Sequence, residues 1–121
     1  MHLVNTVHAI VLAGGSAFGL DAASGAMKYL EEKKIGFDSG PVKVPIVASA
    51  ILFDLGIGSS TIRPDLQMGY QACLNAKSPN NEQGNVGAGT GASVGKILGA
   101  SQSMKTGIGT ASEDLGGGLF V

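Results

Sequence analysis

A chain of 121 residues, 44% hydrophobic and 14% charged, is long enough for one domain and too apolar to be disordered. Its formal charge of −1, with eight scattered Lys and Arg, excludes a basic footprint for nucleic acid or for an anionic membrane, so the expected partner is a small molecule or another protein chain. One cysteine, Cys73, excludes an internal disulfide and fits a cytoplasmic protein, while 20 glycines, more than twice the usual share of about 7%, point to tight turns and close backbone approach.

The aliphatic run VHAIVLA, residues 7–13, stops at Gly14-Gly15 and reads as a buried strand. From Ser16 the period changes. Leu20, Ala23, Met27 and Leu30 recur at helical spacing, with Ser16 as the expected cap and Gly36, after a lysine pair, as the expected stop. Gly19 and Gly25 inside that helix each cost about 1 kcal/mol relative to alanine, which implies that the helix is pressed closely on a neighbour.

Residues 43–55, KVPIVASAILFDL, read as one strand or two, with Pro45 near the start. Residues 63–77 read as a second helix, with Pro64 at its first position, Asp65 in its first turn, and Leu66, Tyr70 and Cys73 along one face. Cys73 in that pattern reads as packing rather than as a nucleophile. Residues 78–85 form a polar loop, and 105–112, KTGIGTAS, could be a glycine-interrupted strand. Strands alternating with helices predict an α/β layered domain. The terminal run LGGGLFV begins an apolar segment, so 1–121 reads as a single incomplete domain of a larger fold. The longest apolar run, PIVASAILF, is far short of the roughly 20 residues of a bilayer span, and no export signal is visible.

Residues 87–92, GAGTGA, satisfy the glycine pattern of dinucleotide-binding turns, but polar loop rather than strand precedes them. The same stretch nearly matches a P-loop at Gly95-Lys96. It lacks the earlier glycine, where Thr90 stands, and the following hydroxyl, where Ile97 stands. GGSAFG at 14–19 would need glycine at Phe18 to match a hydrolase nucleophile elbow. His2 and His8 have no third ligand at a metal-binding spacing, and neither metal nor cofactor is expected. What remains is a glycine-rich loop delivering Lys96. Its apolar flank of Val94, Ile97 and Leu98 makes a poor surface helix and suggests a buried bend, in which the amine would be desolvated.

The blocks HAIVLAGGSAFGLDAASGAMKYLEE, IVASAILFDL, RPDLQMGYQA and GNVGAGTGASVGK, in that order from about His8 to about Ser112, resemble the peptidase family of L-aminopeptidase D-esterase, the β-peptidyl aminopeptidases and the nylon-oligomer hydrolases. The resemblance implies part of a layered αββα sandwich of the kind shared with ornithine acetyltransferase. It also implies an N-terminal-nucleophile amide hydrolase whose precursor cleaves itself. The Ser or Thr so exposed on a second subunit attacks the amide, with its own amine as base, and the processed units assemble into oligomers. On that resemblance the chain is the central part of the α subunit, and the nucleophile lies on a segment outside these residues. Lys96 matches a lysine beside the nucleophile in the nylon-hydrolase branch, and Phe53 falls where that branch has a tyrosine near the substrate. Gly87, Gly89 and Thr90 are expected to join Phe53 in lining the substrate site. Peptide, β-peptide, D-amino ester and oligoamide substrates all remain open. The competing readings are a non-catalytic assembly domain and a small nucleotide-binding module.

Overall fold

In the computed structural model, which describes residues 4–76 and 82–121, the first aliphatic run becomes strand β1 (Ala9–Ala13). It ends at Gly15, whose φ of 87° lies in the left-handed region. Ser16 is also left-handed, at φ 54°, and its amide donates to the Leu52 carbonyl at 2.9 Å. No side-chain cap is formed there, contrary to the expectation for Ser16: the residue is held as the last link of a strand ladder and opens a 3₁₀ helix, Ser16–Asp21. Helix α1 follows at Ala22–Glu32.

Its stop is Lys34 rather than Gly36. Lys34 adopts φ 58°, its amide donates to the Glu31 carbonyl, and the Ile35 amide donates to the Leu30 carbonyl, which together close the helix in a Schellman turn. Gly36 has a different task, since a Cβ there would lie 2.6 Å from the Val44 carbonyl carbon. The chain then forms a short antiparallel hairpin, β2 (Phe37–Asp38) with β3 (Lys43–Val44). Pro45 separates β3 from β4 (Val47–Ile51), so the 43–55 segment is two strands.

β4 pairs in parallel with β1, Ala9 opposite Val47 and Ala13 opposite Ile51, and α1 lies in the crossover between them. Helix α2 (Leu66–Asn75) starts two residues later than expected, because Asp65 is its cap: Oδ1 accepts the Met68 amide at 2.8 Å. The Asp21 carboxylate, from the other helix, takes the Leu66 amide at 3.0 Å. Beyond Glu82 a 3₁₀ helix, Gly87–Gly91, leads to an antiparallel pair, β5 (Ser93–Val94) with β6 (Met104–Lys105). The expected strand over 105–112 is reduced to the end of β6 and one bridge between Gly84 and Ile108. Half of the expected polar loop, residues 78–81, lies outside the described residues.

Mixed helix and strand, with a parallel pair spanned by a helix, is an α/β arrangement. Its core is thin: among the described residues Ala13, Ala22, Ala26, Leu30 and Ala92 are the buried hydrophobic ones, and no large side chain is fully enclosed. Alternation along the strands leaves Ile10 and Leu12 on the open face of the sheet, 71% and 50% exposed, opposite Ala48 and Ala50. Among the described residues no helix is long and apolar enough to cross a membrane.

Candidate functional site

The parallel pair sets the site, because both strands run out at the same end and release glycine-bearing turns there. The Leu52 amide donates to the Ala13 carbonyl at 2.9 Å, which extends the ladder one step past β4 and leaves Phe53 and Asp54 beyond it. Asp54 turns back. Its Oδ1 accepts the Gly15 amide at 2.7 Å, tying the turn after β1 to the turn after β4.

The glycine-rich stretch packs against this end. Gly89 and Gly91 are buried, and each omits a Cβ that backbone or side chain would meet: at Gly89 the Gly84 carbonyl oxygen at 2.3 Å, at Gly91 the Asp54 Oδ2 at 2.1 Å. Three polar groups fasten the turn. The Thr90 hydroxyl donates to the Gly87 carbonyl at 2.8 Å, the Lys105 ammonium donates to the Thr90 carbonyl, and the Asn85 amide bridges the carbonyls of Gly89 and Thr106. After β5, Gly95 at φ 78° turns the chain into a single 3₁₀ turn, Lys96–Leu98.

Lys96, Phe53 and Gly89 line one cavity of about 530 Å³, walled mainly by aliphatic groups such as Leu12, Val94 and Ile108. Gly87 and Thr90 do not reach it. They line a second cavity of about 490 Å³ together with Asp54. The expected set divides because residues three apart eclipse in a 3₁₀ helix, so Gly87 and Thr90 share one edge of the turn and Gly89 takes another. The expected burial of the bend is also absent: Val94, Ile97 and Leu98 are 49%, 96% and 78% exposed, and Lys96 is exposed with them.

A lone ammonium at the rim of an apolar cavity is chemically specific. Lys96 has no ion-pair or hydrogen-bond partner among the described residues, so its charge is available to an anion or to a carbonyl oxygen gaining charge. No cluster of metal-ligating side chains occurs among the described residues. The dinucleotide pattern at 87–92 folds as a five-residue 3₁₀ helix followed by a strand, so it presents no α-helix N-terminus to a pyrophosphate. Asp54, Asn85 and Lys105 were missed from the sequence. Asp54 and Lys105 meet partners 39 and 15 residues away, and Asn85 joins nearby Gly89 to Thr106, 21 residues on; no local spacing encodes those long-range contacts.

Comparison with known proteins agrees with the resemblance read from the sequence. The model of peptidase family S58 matches residues 1–119. An uncharacterized aminopeptidase of Mycobacterium tuberculosis is 43% identical over 118 residues, covering 98% of this chain and 32% of its own length. Its counterpart in Mycobacterium leprae is 41% identical over 125 residues, covering 98% and 33%. A 6-aminohexanoate-oligomer endohydrolase of Paenarthrobacter ureafaciens is 37% identical over 90 residues, covering 74% of this chain and 25% of its own length. The chain therefore spans about a third of the length of the curated aminopeptidases it matches. With nearly every residue inside one family model, the chain belongs to peptidase family S58.

Proposed function

We propose that this chain is part of an amide-bond hydrolase of the N-terminal-nucleophile type, forming one wall of the substrate pocket and presenting Lys96 to the reacting amide. The observation that carries the reading is the shared cavity of Lys96 and Phe53, one cation against a wall that is mainly apolar, with Ser93 and Thr106 its other polar side chains. Such a wall suits the methylene chain of a peptide or oligoamide, and the names of the relatives, aminopeptidase and 6-aminohexanoate-oligomer endohydrolase, point to the same bond. Phe53 supplies ring surface without a hydroxyl, so its part is packing.

In the proposed reaction the hydroxyl of a Ser or Thr on the remaining part of the protein attacks the amide carbon, while the adjacent α-amine accepts the hydroxyl proton. Lys96 acts electrostatically. Its charge favours the neutral, proton-accepting form of that amine and stabilises the oxyanion as the carbonyl bond opens.

The nucleophile-bearing segment is the proposed second subunit, and its sheet the proposed cover of the open face at Ile10 and Leu12, completing a layered αββα sandwich. Surface area supports this: the chain exposes 8751 Å², against about 6,000 Å² for a folded monomer of its mass. Oligomers of processed units and a cytosolic setting, which the single cysteine fits, complete the reading.

The test is hydrolysis by the full-length protein that contains this chain. Release of p-nitroaniline from amino-acid p-nitroanilides, or of new amino termini from 6-aminohexanoate oligomers, is expected well above a heat-denatured control. Failure on both substrate classes overturns the proposal.

A further inference from the structure

Asp54 occupies a place that two other segments leave open for it. Its Oδ1 takes the Gly15 amide at 2.7 Å. Its Oδ2 lies where a Cβ on Gly14 would fall, 2.1 Å away, and also where a Cβ on Gly91 would fall, again 2.1 Å away. The carboxylate is thus seated between the bare Cα atoms of two glycines from two different turns, one following β1 and one closing the 87–91 turn. No side chain larger than hydrogen fits at either place while Asp54 keeps this position.

The consequence runs to the cavity on the other side of the turn. Phe53 immediately precedes Asp54, and Gly91 is followed by Ala92 and β5, which Gly95 joins to Lys96. Asp54 thus adjoins both the residue before it, Phe53, and the glycine turn that leads to Lys96, while it lines the other cavity. We propose that Asp54 is a positioning residue for Lys96: it docks the glycine-rich turn on the β1–β4 pair at the spacing that aims the lysine at the reacting amide. It touches no reacting atom, and the proposal rests on the reading of Lys96 given above.

A double-mutant cycle in the full-length protein tests this. Asp54→Ala is expected to lower kcat about tenfold or more while KM changes less than about threefold, because a misaimed charge is felt in the transition state rather than in substrate binding. Asp54→Asn keeps the size and the acceptor for the Gly15 amide and should retain kcat within about threefold. In a Lys96→Met background, Asp54→Ala should cost almost nothing further, since the group through which it acts is gone. An equal loss in both backgrounds overturns the positioning role, whereas parental activity in Lys96→Met alone overturns the reading of the lysine and leaves the two failures distinguishable. Should Asp54→Ala be insoluble, Asp54→Glu, whose extra methylene drives the carboxylate out of its seat, gives the same cycle; parental kcat in that variant also overturns the proposal.

Discussion

Gly25 of α1 and Gly69 of α2 meet backbone to backbone where the two helices cross. A Cβ on Gly25 would lie 2.0 Å from the Leu66 carbonyl oxygen, and one on Gly69 would lie 1.9 Å from the Ala22 carbonyl oxygen. The obstructing atoms are main chain, so relief requires the helices to separate. Beside them Tyr29 and Tyr70 pack edge to face at 5.9 Å, which holds the pair at this spacing.

Gly25→Ala is therefore expected to destabilise, although the same change in a free helix stabilises by about 1 kcal/mol. Overpacking of a close contact costs about 1–3 kcal/mol, and backbone obstruction places this one at the upper end, for a net loss of about 2 kcal/mol. Gly69→Ala should behave alike. The double variant should lose less than the sum, because one separation of the helices relieves both. Urea unfolding of the three variants measures this, and a Gly25→Ala variant more stable than the parent would refute the close crossing.

A second prediction concerns pH. The Glu32 carboxyl is held below its ordinary range, first by the Lys28 ammonium hydrogen bond and then by the Tyr70 hydroxyl, which donates at 2.6 Å. A depressed carboxyl contributes stability above its unfolded pKa, about 4.3, and loses it as pH falls through the folded value. The Lys28 ammonium and the Tyr70 phenol are both raised, chiefly by their hydrogen bonds to Glu32, so their contributions are complete below about pH 10 and are lost as pH rises further. The cluster is solvent-exposed, and the effect is correspondingly small. Glu32→Gln should flatten the acid limb of the stability curve below about pH 4.5, and the difference from the parent should shrink near 1 M salt. Parallel acid limbs for the two proteins would remove the cluster from the pH dependence.

How much of this was readable in the sequence depended on the range of the interaction. The close helix crossing was legible, because a glycine inside a helical pattern carries a local cost that only packing can offset. Lys96 and Phe53 were singled out through blocks of residues; they line one cavity, and their roles there belong to the proposed reading. Ser16 misled: its amide is claimed by Leu52, 36 residues on, and no periodicity reports that. That Gly87 and Thr90 line a different cavity from Phe53 was not readable, because which edge of a 3₁₀ turn a residue takes depends on its exact winding. The flank Val94, Ile97 and Leu98 was read as buried on its hydropathy alone. Hydropathy says that a residue needs cover, but not which segment supplies it.

That distinction yields a third prediction. Expressed alone, the 121-residue chain presents Ile10 and Leu12 on an unpaired two-stranded sheet, with Ile97, Leu98 and Met104 exposed elsewhere. Open strand edges and apolar patches of this kind drive association at micromolar concentrations. Light scattering should show self-association, reduced by Ile10→Glu on the sheet face. A clean monomer would mean that the open face needs no cover, against the layered sandwich.

The last prediction separates two lysines. Lys96 is exposed and has no partner among the described residues, so Lys96→Met should leave the unfolding midpoint of the full-length protein nearly unchanged. Its effect should fall on turnover: loss of one electrostatic contact to a developing oxyanion costs about 3 kcal/mol, on the order of a hundredfold in rate. Lys105 differs, because its ammonium donates to the Thr90 carbonyl within the glycine-rich turn. Lys105→Met should loosen that turn and lower turnover only modestly, with an accompanying fall in the midpoint that Lys96→Met does not share. Arginine separates the roles further. At position 105 it can still donate to the carbonyl and should restore the midpoint, whereas at position 96 it keeps the charge but not the compact ammonium and should restore turnover only in part. Equal turnover in Lys96→Met and the parent would reduce the loop to a packing element.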